Sequence, residues 1–181
     1  MRHRGLKRQI QANVQYVKDL PKIHPSRVGI IPYVIRDDIR FFALGIDTNY
    51  QEATDFGGKT GRFDQGPLQG ALREFREETL GVFPEIDMVG DQTKLGFSDS
   101  LAVWNQETMI LFVKFDVDPT AITEAFDASK VDVEHLEVSR IIWARQDIFQ
   151  NIIDVKKNDY GRLYSRVRRL LRQVDFFDSL L

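Results

Sequence analysis

Three carboxylates, Glu74, Glu77 and Glu78, stand at i, i+3 and i+4 in a stretch of helical character, so all three emerge on one helical face. Like charges at that spacing repel, and a helix selected only for stability rarely carries them. A divalent cation removes the objection, because Mg²⁺ takes hard oxygen ligands. The competing reading is a solvated, salt-bridged helix face, which is how most charge runs turn out. The residues alone leave the two evenly matched. Arg73 is placed to reach Glu77 at i+4 and to hold a neighbouring carboxylate in one rotamer. Upstream, Gly57-Gly58 reads as a glycine turn whose backbone can approach a ligand closely.

The helix carrying these acids starts near Pro67, well placed at the first helical position, and ends at Gly81 as C-terminal cap. Leu68, Ala71, Leu72 and Phe75 form an apolar stripe that should lie on a sheet. Gly70 falls away from it with the acids, leaving room for a ligand. Around this helix the chain reads as follows. Residues 3 to 18 show helical spacing of Leu6, Ile10, Val14 and Val17, which predicts an N-terminal helix within 1–20. Val28–Ile35 and Ile39–Ile46 predict a hairpin turning at Asp37-Asp38. Phe83–Val89, Lys94–Val103, Thr108–Val117 and Glu137–Trp143 are expected strands. Ala121–Ala128, capped by Thr120, and Asp147–Ile153 are expected short helices. Tyr160–Val174 predicts an amphipathic C-terminal helix, within 158–175. This order favours one α/β layer domain over residues 1–181.

Composition narrows the class. The 181 residues are 43% hydrophobic and 29% charged, with a net charge of −2, which gives no global push toward nucleic acid or anionic membrane. There is no cysteine, so disulfides, thiolate metal sites and a Cys nucleophile are excluded. Met1–Arg8 is basic without the apolar run of a signal peptide, and no stretch reaches the length of a membrane span. The expectation is a soluble, cytoplasmic protein without membrane partners. Its oligomeric state is not legible.

Arg73-Glu74-Phe75-Arg76-Glu77-Glu78, followed by Gly81-Val82 and preceded by Gly57-Gly58, resembles the Nudix box (57–82). That signature is usually written G, five residues, E, seven residues, R-E-U-x-E-E-x-G-U, with U a bulky apolar residue. Two departures stand out. Five residues after Gly58 comes Asp64 instead of Glu, and eight residues then precede Arg73. Counting back from Pro67 instead puts Gln65 at the acid position. Leu80 is an additional residue before Gly81.

The resemblance implies a Nudix-like α/β/α sandwich with a mixed central sheet, and hydrolysis of a diphosphate linkage with Mg²⁺ or Mn²⁺. By position, Glu77 and Glu78 would bind metal. Glu74 would be a further ligand or the base that activates water, Arg73 would orient it, and the Gly58 carbonyl would be a backbone ligand. Nudix enzymes often add a carboxylate from beyond the box, for which Glu137 comes first, with Glu134 and Asp132 as alternatives. The implied partner is a nucleotide-type small molecule, a nucleoside diphosphate joined to another group.

Other residues weigh less. Lys59, beside Gly58, and Arg40 could meet phosphate, although surface salt bridging suits both. Phe41, Phe42, Phe97 and Trp104 could stack on a substrate, although strand aromatics are more often core. His3, His24 and His135 show no ligand spacing. Arg162, Arg166, Arg168, Arg169 and Arg172 make the last helix basic, which motivates an mRNA-cap or dinucleoside polyphosphate hydrolase as the alternative, against the more ordinary solvated face. A catalytically silent Nudix-fold binding or regulatory protein is the rival of another class. Such proteins usually lose the box carboxylates, which are intact here. Absence of cysteine excludes the isomerase branch. Phe97 and Ser98-Asp99-Ser100 stand where subfamily markers would be, and select no substrate.

Overall fold

The computed structural model describes residues 11–86, 99–155 and 161–181. In chain order the regular elements are β1 (Asn13–Tyr16), a 3-10 turn at Val17–Asp19, β2 (Arg27–Arg36), β3 (Ile39–Asp47), β4 (Ala53–Thr54), β5 (Phe56–Lys59), α1 (Pro67–Glu78), β6 (Leu101–Trp104), β7 (Thr108–Lys114), α2 (Pro119–Ser129), β8 (Val138–Arg145), α3 (Gln146–Asp154) and α4 (Ser165–Leu171). The sheet is mixed. β2 pairs in parallel with β7, and its other pairings, with β3 and β5, are antiparallel.

β2 decides the layout. Along one edge it follows β7 from Arg27 to Tyr33. Along the other, Arg27–Ile30 pairs with β5 and Tyr33–Arg36 pairs with β3. Pro32, which has no N–H to donate, sits where β2 passes from one partner to the other, a place where a proline is tolerated in a strand. β3 then turns outward to pair with β8 and β4. The β2–β3 hairpin closes at Asp37 and Asp38, with φ of 50° and 60°, the paired positive φ values of a tight two-residue turn that aspartate accommodates. On the far edge, β1 joins β6 and β6 joins β7.

Helices cover both faces of this sheet. α3 and α4 bury Phe149, Ile152, Val167, Leu170 and Leu171 against Ile31, Phe42 and Phe112. α1 and α2 bury Ala71, Phe75, Ile122 and Phe126 against Ile30, Phe56 and Leu111. The α1 face is strongly aromatic, with the Phe75 ring 5.8 Å from Phe56, 5.2 Å from Phe83 and 6.0 Å from Phe115. This packing sets α1 down on β2 and β5. Among the described residues no helix is long and apolar enough to cross a membrane.

Several expectations are corrected. The described part of residues 3 to 18 is a strand, not a helix: Val14 and Tyr16 point into the core alternately with Asn13 and Gln15, a period of two. Residues 3 to 10 lie outside the description. Phe83–Ile86 is not a strand, because Phe83 is a buried plug in the aromatic cluster; residues 87 to 89 lie outside the description. Of Lys94–Val103 only Leu101 onward is strand, and 94 to 98 are likewise outside. The expected strand Thr108–Val117 stops at Lys114.

Asp118, not Thr120, caps α2, accepting from the amides of Thr120 and Ala121. The C-terminal helix is only seven residues long. Arg162 and Tyr164 bond instead to both sides of Ala53 in β4, at 2.7 and 2.8 Å, so the apolar residues Leu163 and Tyr164 belong to an extended segment. Tyr160 is outside the description. Gly57-Gly58 is strand β5, not a turn.

Candidate active site

α1 and β5 meet through glycines. A Cβ at Gly58 would lie 2.4 Å from Glu74 Oε2, so the Glu74 carboxylate occupies the space that any other residue would fill. One residue earlier, the Gly57 amide donates to Glu78 Oε2 at 2.6 Å. Both acids are thus seated on the β5 backbone, which is what the pair of glycines permits. Gly70 also makes room, but for the protein itself. Its Cβ would meet Asp64 Oδ2 at 2.8 Å and Val28 Cγ2 at 3.3 Å, and Gly70 is buried. The expectation that Gly70 opens space for a ligand is corrected.

Arg73 is the organiser of the loop. Its Nε and Nη2 donate to the two oxygens of Asp64, each at 3.1 Å. Nη2 also donates to the Lys59 carbonyl at 3.2 Å, and Nη1 lies 2.7 Å from Glu74 Oε1. The expected i+4 partner, Glu77, is the weakest of the set at 3.4 Å, with its side chain 62% exposed. Asp64 also accepts from the Gly61 amide at 2.6 Å. The lengthened loop therefore delivers Asp64 to Arg73, while the Gln65 amide donates to Gln69. Between the two candidates for the loop acid, Asp64 is the one facing the box arginine.

The electrostatics follow from burial. Glu78 is pushed up from 4.5 to about 9, first by burial, then by the negative charge of Asp55, with Glu137 adding to it. Burial likewise raises Glu74, against the lowering effect of Arg73. Asp64 is held below the usual carboxylate range, chiefly by its hydrogen bonds from Arg73. Glu137, just before β8, joins Glu74, Glu77 and Glu78 in lining one cavity of about 160 Å³, together with Val133, His135 and Leu136. Neither Glu134 nor Asp132 lines it.

These acids suit a hard divalent cation by donor type and by the charge they accumulate. Among the described residues, however, no three acidic or imidazole side chains already converge as a coordination shell. Glu74 and Glu78 are instead held by Arg73 and by the Gly57 amide. The donor types fit such a metal, and Glu74, Glu77, Glu78 and Glu137 are the residues that would hold it.

Other expected contacts fall elsewhere. Lys59 ends β5 beside the site, exposed, with its carbonyl taken by Arg73. Arg40 is committed to Gln146 Oε1 at 3.1 Å and the Leu180 carbonyl at 2.7 Å, which removes it as a phosphate ligand. Trp104 donates to Gln15 Oε1 at the β1–β6 edge, and Phe42 stacks on Phe149 in the core. Neither they nor Phe41 line the carboxylate cavity. Phe97 lies outside the described residues.

Two features escaped the sequence reading. His135 lines the cavity, although its spacing from other histidines carries no signal. Arg27 and Asp55 form a buried pair behind β5, with bonds of 2.8 Å from Nη1 and Nη2.

A mixed sheet covered by helices on both faces is the arrangement that the box resemblance implies; the glycine strand leading into the carboxylate helix is not. The fold is a mixed α/β layer fold with helices on both faces of the sheet. No family model matches the sequence, and no curated protein does. Similar solved structures include the NUDIX domain of Shewanella oneidensis NrtR complexed with ADP ribose, 18% identical, covering 72% of this chain and 79% of that one, with a TM-score of 0.42. Another is an Ap4A hydrolase of C. elegans, 14% identical, covering 83% and 96%, with a TM-score of 0.45.

Proposed function

We propose that this chain is a metal-dependent hydrolase that cleaves a diphosphate linkage in a nucleoside diphosphate joined to another group, by attack of water on phosphorus. The observation that carries this reading is the gathering of Glu74, Glu77, Glu78 and Glu137, from two separate parts of the chain, around one cavity beside a glycine strand. A solvated helix face would have sent these acids outward. Here burial instead raises two of them, Glu74 and Glu78, above their ordinary range.

Glu74, Glu77, Glu78 and Glu137, with the Gly58 carbonyl, would hold Mg²⁺ or Mn²⁺. The bound ion would supply neutralisation of the phosphate oxygens and a lowered pKa for water. Glu74 would take the proton from water, with Arg73 holding its Oε1 at 2.7 Å. Asp64 in turn fixes Arg73 through two parallel bonds, a geometry that is directional as well as strong. The acids repel an unaccompanied polyanion, so substrate and metal would enter as one unit.

α4 packs on the sheet face opposite α1, and Arg168 donates to the Asp154 carbonyl. Its basic residues therefore give no direct support to capped RNA as substrate. The test is incubation with Mg²⁺ or Mn²⁺ and a panel of sugar nucleotides, dinucleoside polyphosphates, nucleoside triphosphates and capped RNA. The expected result is metal-dependent cleavage at a diphosphate, largely lost in Glu77→Gln. Activity persisting in that variant would contradict the assignment. Absence of turnover on every substrate would favour the binding-protein reading.

A further inference from the structure

Arg27 and Asp55 are charged, buried and outside the chemistry proposed above. Their side chains are 7% and 0% exposed. Asp55 sits flat against β2 and β5: a Cβ at Gly29 would lie 1.7 Å from its Oδ2, and one at Gly57 would lie 2.6 Å from it. Two glycines on neighbouring strands thus make the recess for one carboxylate. Thr54 Oγ1 donates to the other oxygen at 3.0 Å, and the Tyr164 ring stacks 5.0 Å from the Arg27 guanidinium. A buried ion pair is weak support for stability, because desolvation offsets its attraction and an apolar pair of similar volume often serves as well.

What this pair does that an apolar pair cannot is grip one peptide. Arg27 Nη2 donates to the Gly57 carbonyl at 3.1 Å, while the Gly57 amide donates to Glu78. The Gly57 residue is held from both ends: Arg27 behind, Glu78 in front. A glycine in a short strand is otherwise the least constrained residue available. We infer that Arg27 and Asp55 are a positioning pair, which fixes the Gly57 backbone and through it the placement of Glu78 at the cavity. This rests on the metal-site reading for its purpose, but the grip itself is a property of the metal-free protein.

The test uses two variants, Arg27→Met/Asp55→Leu and Asp55→Asn, with three measurements: thermal midpoint, hydrogen exchange at the Gly57 amide without metal, and Mn²⁺ affinity from the paramagnetic signal of the free ion. The double variant should melt cooperatively near the wild-type midpoint. Its Gly57 amide should exchange faster, and Mn²⁺ affinity should fall by about 10- to 100-fold, the usual effect of losing an outer partner of a ligand. Wild-type exchange and wild-type Mn²⁺ affinity in a folded double variant would overturn the inference. Should the double variant not fold, Asp55→Asn is judged by the same two readouts. If the wild-type protein binds no Mn²⁺, the metal-site reading fails, and unchanged Gly57 exchange in the variants would separately refute the grip.

Discussion

Glu78 carries a cost that can be measured without any substrate. Burial and the neighbouring Asp55 push its carboxyl from 4.5 to about 9, so in the metal-free protein it keeps its proton across neutral pH. The unfolded chain loses that proton above its ordinary pKa. Between 4.5 and about 9 the folded state therefore binds more protons than the unfolded state, and raising the pH destabilises the fold by about 1.4 kcal/mol per unit for a single such group. From pH 6 to pH 8 the upper limit is about 2.7 kcal/mol, which for a chain of this size corresponds to roughly 5–11 °C in the melting midpoint.

Glu78→Gln keeps an oxygen to accept from the Gly57 amide but cannot ionise. Thermal melts of both proteins in chelator, at several pH values, isolate the effect as a difference. Contributions from Glu74 and other titrating groups largely cancel. The variant should gain on the wild type as pH rises, with a midpoint difference that grows by several degrees between pH 6 and pH 8. Added Mn²⁺ should reverse the order, because the ionised carboxylate is the form that binds metal. Parallel pH profiles for the two proteins in chelator would refute the reasoning, since Glu78 would then be either ionised in the fold or indifferent to it.

Other predictions concern neighbouring residues. Gly58→Ala places a Cβ 2.4 Å from Glu74 Oε2, so diphosphate hydrolysis and Mn²⁺ binding should both be lost while a circular dichroism melt remains cooperative. Asp64→Asn removes the charge that holds Arg73; on the proposed reading, in which Arg73 orients Glu74, kcat should fall by more than KM rises. Phe75→Ala empties the centre of the aromatic cluster between α1 and the sheet and should cost about 3–5 kcal/mol in a urea titration.

The long elements were legible because each is periodic over enough residues. The β2–β3 hairpin, β7, α1 and α3 follow from β-branched runs, paired aspartates or a clear apolar stripe. The acid triplet on α1 was legible for the same reason, since helical spacing fixes one face. The failures share a cause too. Asn13–Tyr16 fits helical and strand spacing equally over so short a run, and its pairing with β6 decides the matter. Leu163 and Tyr164 match the apolar spacing of α4, but bonding to Ala53 claims them first. In both cases a distant partner overrides the local pattern, and a distant partner leaves no local trace. Arg27–Asp55 was invisible for that reason: its members are 28 positions apart, and only the recess between Gly29 and Gly57 reveals why a charge is buried there.

The two readings that began evenly matched are separated by where the repulsion is taken up. On a solvated helix face, water and mobile counter-ions screen like charges, and their side chains swing apart. Here they cannot. Glu74 is pinned against Gly58 and Arg73, and Glu78 against Gly57, with Asp55 behind it and Glu137 across the cavity. Among the described residues Arg73 is the arginine serving this group, and Asp64 takes two of its three nitrogens. A second, Arg27, is matched to Asp55. Glu74 and Glu78 thus cannot swing apart: ionised they repel their neighbours, and burial instead favours the protonated form. Local rules broken in this way, with neighbouring glycines shaped to keep them broken, mark a site that works with something from outside the chain. A divalent cation is the partner we propose, because its charge would favour the ionised carboxylates and its ligand preference is for oxygen.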